Sequence, residues 1–164
     1  MIIGILKDSG AERRVALLPA EVAAVRKTGI DVLTEKGAGE KAFTGDDAYL
    51  SAGALVRERS EVISESSVLL TVNTLPETDL DLCSEGQVIC SVVNPAENGA
   101  WLEKARIKGL TVLALDLVPR ITRAQSMDVL SSMATVAGYK AVLAAASVLP
   151  KFFPMFMSAA GTIK

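Results

Sequence analysis

Residues 111–142 read TVLALDLVPRITRAQSMDVLSSMATVAGYKAV, and this stretch decides the fold class. Residues 111–117 are an apolar run of strand length, and residues 131–149 have an apolar pattern typical of a helix. Polar side chains are concentrated between the two, in residues 120–132. Because open α/β sheets bind ligands at the carboxyl ends of their strands, ahead of a helix, the stretch predicts an α/β fold with a ligand-binding loop.

Strand and helix patterns alternate along the rest of the chain. We predict strands at residues 2–6, 30–33, 54–56, 68–72, 87–93 and 111–117. The runs VLLTV and QVICSVV are typical of strands buried on both faces, as in a parallel sheet. Helices are predicted from Pro19 to Gly29, from Asp46 to Gly53, in a turn or two capped by Ser60, and from Asn98 to Gly109. This alternation predicts a mostly parallel sheet of about five strands.

The predicted helix at residues 131–149 is rich in alanine, but Lys140 interrupts it. A membrane span needs about 20 mostly apolar residues, so we expect a helix buried in protein or at an interface. The tail after it, KFFPMFMSAAGTIK, is strongly apolar and has no obvious partner in the sheet. An exposed apolar run of this kind rarely ends a domain, so we expect further structure to cover it.

Composition excludes several classes of site. The chain has 164 residues, of which 50% are hydrophobic, and this suits one globular domain, or one domain with an appendage. A net charge of −2 indicates no nucleic-acid partner. The absence of histidine excludes a histidine base, a histidine metal ligand and a Ser-His-Asp triad, and we predict no metal site. We expect Cys90 to lie in the core and Cys83 in a loop, both as ordinary residues.

Two short motifs have simple interpretations. The loose G-x-G-x-x-A at residues 37–42 predicts a tight turn, because residues 43–46 separate it from the next helix that a dinucleotide site would need. Arg14, in the loop after the first strand, could hold a carboxylate in a bidentate pair. A salt bridge within the loop or to the acidic surface is the favoured interpretation.

The polar group in residues 120–132 allows two interpretations. Its members are Arg120, Arg123, Gln125, Asp128 and Ser131. Asp and Ser are typical caps of a helix N-terminus. However, an amide beside a carboxylate also suits a ligand with a carboxamide, such as nicotinamide. The residues by themselves leave these interpretations equal.

Four segments of the chain together resemble the alanine dehydrogenase and nicotinamide nucleotide transhydrogenase superfamily. They are ERRVALLP, KGAGEKAF, VPRITRAQSMDVLSSMATVAGYKAV and AAGTIK. More narrowly, they resemble the NAD(H)-binding alpha subunits of proton-translocating NAD(P) transhydrogenases. The resemblance implies a flavodoxin-like three-layer sandwich at residues 1–130. It implies that residues 131–164 form a connecting helix and tail, leading to a Rossmann NAD-binding domain that this chain lacks.

The same resemblance implies an activity and a site. By this resemblance, the intact enzyme would be a Re/Si-specific transhydrogenase, which transfers hydride from NADH to NADP+ and couples this to proton translocation. Arg120 and Asp128 would orient the nicotinamide ring and its carboxamide, with Ser131 in support. Gln125 would bridge towards the component that holds NADP(H). Hydride transfer between cofactors needs no side-chain acid or base. We expect the 164-residue chain to be inactive by itself.

The alanine dehydrogenase branch is the competing resemblance. Its substrate-binding arginine corresponds to Arg14, but its lysine and histidine correspond to Asn73 and Asn94. An amide supplies neither an ammonium nor a transferable proton, so we predict no amino-acid oxidation. An amino-acid oxidoreductase and a non-catalytic dimerisation or docking module remain the alternatives.

The resemblance also implies partners and a location. NAD(H) would bind the intact protein, and NADP(H) would bind a partner component. By the resemblance, the partners would be a second copy of the chain, the NADP(H)-binding beta component and a membrane component. The expected location is the bacterial cytoplasm, peripheral to the inner membrane, with no membrane span in this chain.

Overall fold

The computed structural model of the protein describes residues 1–151 and 155–163. Its main feature is a six-stranded sheet in the order β3-β2-β1-β4-β5-β6, in which every neighbouring pair is parallel. The strands are β1 Ile2–Ile5, β2 Asp31–Glu35, β3 Leu55–Arg57, β4 Val68–Leu70, β5 Val88–Ser91 and β6 Thr111–Ala114. The predicted α/β class and parallel sheet are confirmed, with six strands where we expected about five.

Helices cover both faces of the sheet, as the predicted three-layer sandwich requires. They are α1 Pro19–Arg26, α2 Asp46–Ser51, α3 Arg59–Glu65, α4 Glu77–Leu80 and α5 Gly99–Ile107. A further helix, α6 Val129–Val148, follows the sheet in the sequence and belongs to a separate unit. The sequence signals at α1 act as expected. Pro19 opens the helix, and Gly29, with φ of +83°, follows its end.

Two core clusters lie on opposite faces of the sheet because successive residues of a strand point to opposite sides. Ile5 belongs to the cluster with Val22 and Tyr49, while its neighbour Leu6 belongs to the cluster with Trp101. Trp101 is buried, and its Nε1–H donates to the Leu75 carbonyl at 2.8 Å. The prediction that Trp101 packs in the core is therefore confirmed.

Three local predictions are wrong or incomplete. Ser60 does not cap α3, because Glu58 is the N-cap and forms a capping box with Glu61. Cys83 lies in a loop as predicted, but it is buried, because the segment after α4 turns it towards the core; Cys90, predicted to lie in the core, is only half-buried. The short helix α4 was not predicted.

The last strand is shorter than the apolar run suggests. β6 ends at Ala114, and residues Leu115–Leu117 form one 3₁₀ turn. This turn brings the Asp116 carboxylate to the end of β5, where it accepts the backbone N–H groups of Val93 and Asn94, each at 2.9 Å. A polar anchor inside the apolar run therefore ends the strand.

The chain divides into two compact units, residues 1–118 and 119–164. The first contains the sheet. The second contains α6 and an antiparallel hairpin of β7 Phe156–Ser158 with β8 Gly161–Ile163. Thus the tail forms its own strand pair, although Phe152 and Phe153 of the predicted apolar run lie outside the described residues. The predicted boundary at residues 130/131 remains a prediction.

Helix α6 begins two residues earlier than predicted and is mostly apolar, with Lys140 and several serine and threonine residues among its members. Within the described part of the chain none of its residues is buried, so a helix buried in protein or at an interface remains a prediction. By length and composition alone, α6 could also cross a membrane.

Candidate functional site

A cleft of about 300 Å³ lies in the second unit, where the chain enters α6. A 3₁₀ helix, Thr122–Met127, and the first turn of α6 supply most of its walls. The lining residues are Arg120, Ile121, Thr122, Gln125, Asp128 and Ser131. The structure thus brings the four predicted site residues to one cleft, whereas Arg123 is not among the residues that line it.

The spacing of the lining residues follows from the 3₁₀ helix. Side chains three residues apart in such a helix lie one above the other. Thr122 and Gln125 are three residues apart, and Asp128 and Ser131 continue the same interval into α6. Arg123 falls outside this interval. Our sequence reasoning missed Ile121 and Thr122, and the three-residue spacing is the signal that would have found Thr122.

The loop is held by its own backbone. The Ile121 N–H donates to the Pro119 carbonyl at 2.8 Å, and the Ala124 N–H donates to the Ile121 carbonyl at 3.0 Å. Within the described part of the chain, the side chains of Arg120 and Gln125 make no hydrogen bond that would hold them away from a ligand.

Asp128 caps α6. Its Oδ1 accepts the Ser131 backbone N–H at 2.9 Å, and its Oδ2 accepts the Ser131 hydroxyl at 2.6 Å. These hydrogen bonds from Ser131, together with the charge of Arg120, lower the pKa of the Asp128 carboxyl group. The capping interpretation is therefore correct for Asp128 and Ser131, but it gives no role to Arg120 or Gln125.

The cleft can bind a flat ligand that carries an amide. Each oxygen of the Asp128 carboxylate has lone pairs beyond those that Ser131 uses, so it can also accept a ligand N–H. The Gln125 amide can both donate and accept, and Arg120 can donate to a ligand carbonyl. A volume of about 300 Å³ is at the lower end of the range for ligand pockets, so the cleft suits one ring and its substituent.

The glycine-rich turn after β2 is a tight turn, as predicted. Gly37 has φ of +70°, and its N–H donates to the Asp46 carboxylate at 2.8 Å. One 3₁₀ turn, Glu40–Ala42, follows, and Phe43 then adopts the left-handed conformation with φ of +59°. The turn therefore does not lead directly into a helix that could receive a pyrophosphate.

A second polar group lies at the carboxyl end of the sheet, where the strand order reverses between β1 and β4. Asp8 accepts the backbone N–H groups of Val72 at 2.9 Å and Asn73 at 2.8 Å. Glu12 accepts Arg14 Nε at 2.9 Å and Nη2 at 2.7 Å, and also the Asn73 amide at 3.3 Å. The hydrogen bonds from Arg14, and then that from Asn73, lower the pKa of Glu12 to about 2. The favoured loop pair for Arg14 is confirmed.

A family described as "Alanine dehydrogenase/PNT, N-terminal domain" matches residues 4–137, a range that includes both polar groups. The chain belongs to this family.

Relatives in the alanine dehydrogenase/PNT family include both of its branches. NAD(P) transhydrogenase subunit alpha of Haemophilus influenzae is 38% identical over 164 residues, which cover 99% of this chain and 32% of that protein. The structure of transhydrogenase from Sinorhizobium meliloti matches with a TM-score of 0.93 at 38% identity, over 99% of this chain and 49% of that chain. An L-alanine dehydrogenase matches with a TM-score of 0.81 at 27% identity, over 90% of this chain and 40% of that one. The chain thus spans between about a third and a half of the length of these relatives.

Asn73 and Asn94 stand at the two positions where the alanine dehydrogenase branch is expected to have a lysine and a histidine. Asn73 donates from its side chain to Asp8 at 3.2 Å and to Glu12. Asn94 follows β5 with φ of +47°, and Asp116 accepts its backbone N–H. Neither amide can supply an ammonium or a transferable proton. The absence of amino-acid oxidation stays a prediction.

Proposed function

We propose that the chain is the N-terminal part of the NAD(H)-binding component of a proton-translocating NAD(P) transhydrogenase of the Re/Si-specific type. In the intact enzyme, hydride passes from NADH to NADP+. One observation carries the proposal: Arg120, Gln125, Asp128 and Ser131 line a single cleft. A transhydrogenase alpha subunit that matches 99% of the chain at 38% identity supports the proposal.

The side chains in the cleft fit a nicotinamide ring. Asp128 has a lowered pKa and stays ionised, so it can accept the carboxamide NH2 group. Arg120 can donate to the carboxamide oxygen, and Ser131 holds Asp128 in place. The reduced ring supplies the hydride when it is bound. The chain supplies ring orientation and excludes water, and neither task requires histidine or lysine.

The rest of the coenzyme needs a second binding region. A cleft of about 300 Å³ accommodates the ring but not the adenosine and pyrophosphate of NAD. We propose that residues 131–164 lead to a Rossmann domain that binds those parts. The isolated chain is therefore expected to bind NAD weakly and to be inactive. Calorimetry that showed micromolar affinity of residues 1–164 for NAD would contradict this expectation.

The partners follow from the same proposal. Gln125 faces the NADP(H)-binding beta component, and a membrane component completes the complex at the cytoplasmic side of the bacterial inner membrane. Helix α6 packs against protein, including a second copy of the chain, and not against lipid. Its exposed apolar residues, among them Val136, Val142 and Leu143, support such a contact.

A hybrid enzyme tests the function. The matching N-terminal part of the Haemophilus influenzae alpha subunit is replaced by this chain, and hydride transfer from NADH to thio-NADP+ is measured in membranes. We expect the hybrid to transfer hydride, R120A to lose most of that rate, and R123A, which alters a neighbour outside the cleft, to keep it. Alanine-dependent reduction of NAD+ by the hybrid would favour the alanine dehydrogenase alternative instead.

Replacing Gln125 by asparagine tests its positioning role in the same hybrid. The shorter side chain keeps the amide but withdraws it by one methylene. We expect slower hydride transfer with little change in NADH affinity, because the amide bridges towards the partner rather than anchoring NADH. S126A, at a neighbour that does not line the cleft, is the control. Transfer by Q125N at the parent rate would remove Gln125 from the mechanism.

A further inference from the structure

We propose that Ile121 is the platform on which the face of the nicotinamide ring packs, and that it makes the cleft favour the reduced, uncharged ring over the oxidised cation. This inference rests on the proposed function. It adds a cofactor-contacting residue that the polar pattern of the loop did not indicate.

The composition of the cleft points to Ile121. It is the apolar member among the six lining residues, and its side chain is 55% exposed. A flat ring needs apolar contact as well as hydrogen bonds to its substituent, since most ligand pockets combine the two. In this cleft the polar side chains can bind the carboxamide, and Ile121 is placed to cover the ring.

Ile121 is also rigidly mounted. Its N–H donates to the Pro119 carbonyl at 2.8 Å, and its carbonyl accepts the Ala124 N–H at 3.0 Å. Pro119 has a fixed φ, and the branched Cβ of isoleucine restricts its side-chain rotamers. The ring therefore meets a preorganised surface, as accurate positioning for hydride transfer requires.

The redox preference follows from charge. The oxidised nicotinamide ring carries a positive charge, and the reduced ring carries none. Arg120 and Asp128 bring one charge of each sign to the cleft. Because an apolar surface cannot solvate a cation, contact with Ile121 favours the neutral ring.

An NMR titration tests the contact directly. The 164-residue chain, labelled at the isoleucine δ1 methyl groups, is titrated with oxidised nicotinamide mononucleotide. The ring current should move the Ile121 methyl signal upfield more than any other isoleucine methyl. If Gln125 and Ser131 signals move while the Ile121 methyl does not, this inference fails and the proposed function stands. If no signal from the cleft moves, this inference fails, and hydride transfer by the hybrid enzyme decides the proposed function separately.

Two variants of nearly equal shape test the redox preference. I121V and I121T differ by a methyl against a hydroxyl group. We expect I121T to bind reduced nicotinamide mononucleotide roughly threefold to tenfold more weakly than I121V, with a smaller difference for the oxidised form. M127A, at a residue of similar exposure (57%) outside the cleft, should match the parent for both forms. If the ratio of the affinity for the reduced form to that for the oxidised form were the same in I121V and I121T, the proposed preference would be wrong. A purely structural role of Ile121 predicts that same unchanged ratio.

Discussion

Replacing Arg59 by alanine should destabilise the sheet-containing unit strongly. Arg59 Nη1 donates to the Lys7 carbonyl at 2.9 Å and to Glu35 at 2.6 Å, while its Nε and Nη2 donate to Asp79 at 2.9 and 2.6 Å. The side chains of Arg59, Glu35 and Asp79 are only 27%, 13% and 11% exposed. One guanidinium therefore joins the ends of β1 and β2 to α3 and α4.

The expected loss of unfolding free energy in R59A follows from the burial of these side chains. Burial alone would lower the pKa of Arg59, but the hydrogen bonds and charges of Asp79 and Glu35 outweigh it and raise the pKa. Removing one partner of a buried ion pair costs about 3–5 kcal/mol, because the other charges stay desolvated and unpaired. Arg59 is about a quarter exposed, so water can enter, and we expect about 3 kcal/mol.

Urea unfolding followed by circular dichroism measures this free energy. With a denaturant slope of about 2 kcal/mol/M, R59A should unfold at a midpoint about 1.5 M lower than the parent. R106A is the matched control, because Arg106 also makes a bidentate pair, with Glu103, but on the exposed surface. Its midpoint should equal that of the parent. If R59A and R106A gave the same midpoint, burial would not be the source of the effect. R59M, which keeps most of the side-chain volume, separates loss of charge from loss of packing.

Two further predictions concern the glycine-rich turn and the loop after β1. G39A should cost about 1–3 kcal/mol, because the added Cβ would lie 2.7 Å from the Thr44 carbonyl oxygen and 2.7 Å from the Tyr49 ring. G99A, at the exposed first residue of α5, meets nothing within 4 Å and should not destabilise the protein, so equal melting temperatures of the two variants would refute the steric argument. The pKa of Glu12 is lowered from 4.5 to about 2 in the folded protein. The contribution of its carboxylate to the free energy of unfolding is therefore complete above pH 4.5 and is lost as the pH falls towards 2. The urea midpoint of E12Q should therefore fall less than that of the parent between pH 7 and pH 2. An equal fall of the midpoint in parent and variant would contradict this.

Much of the fold could be predicted because its signals are local. An apolar run such as residues 68–72 indicates a buried strand whatever surrounds it, and a proline and a glycine mark the limits of α1 through their own backbone preferences. The wrong predictions fall where a local signal had a competitor. Ser60 is a good cap by type, yet Glu58 with Glu61 makes a better one two residues earlier. Cys83 is a loop residue as predicted, but α4, which is too short for a clear helical period, places it against the core.

The sequence by itself determined the class of fold, the family and the polar residues of the site, because residue type, period and motif are all carried by short segments. Only the tertiary structure decided which of those residues meet. The 3₁₀ helix brings Thr122, Gln125 and Asp128 to one side and leaves Arg123 outside. The reversal of strand order brings Asp8 and Asn73, 65 residues apart, within hydrogen-bond distance, and Glu12 in the same loop occupies Arg14. Such pairings depend on the register of distant strands and on small differences between alternative turns, and neither quantity is written in any one segment of the chain.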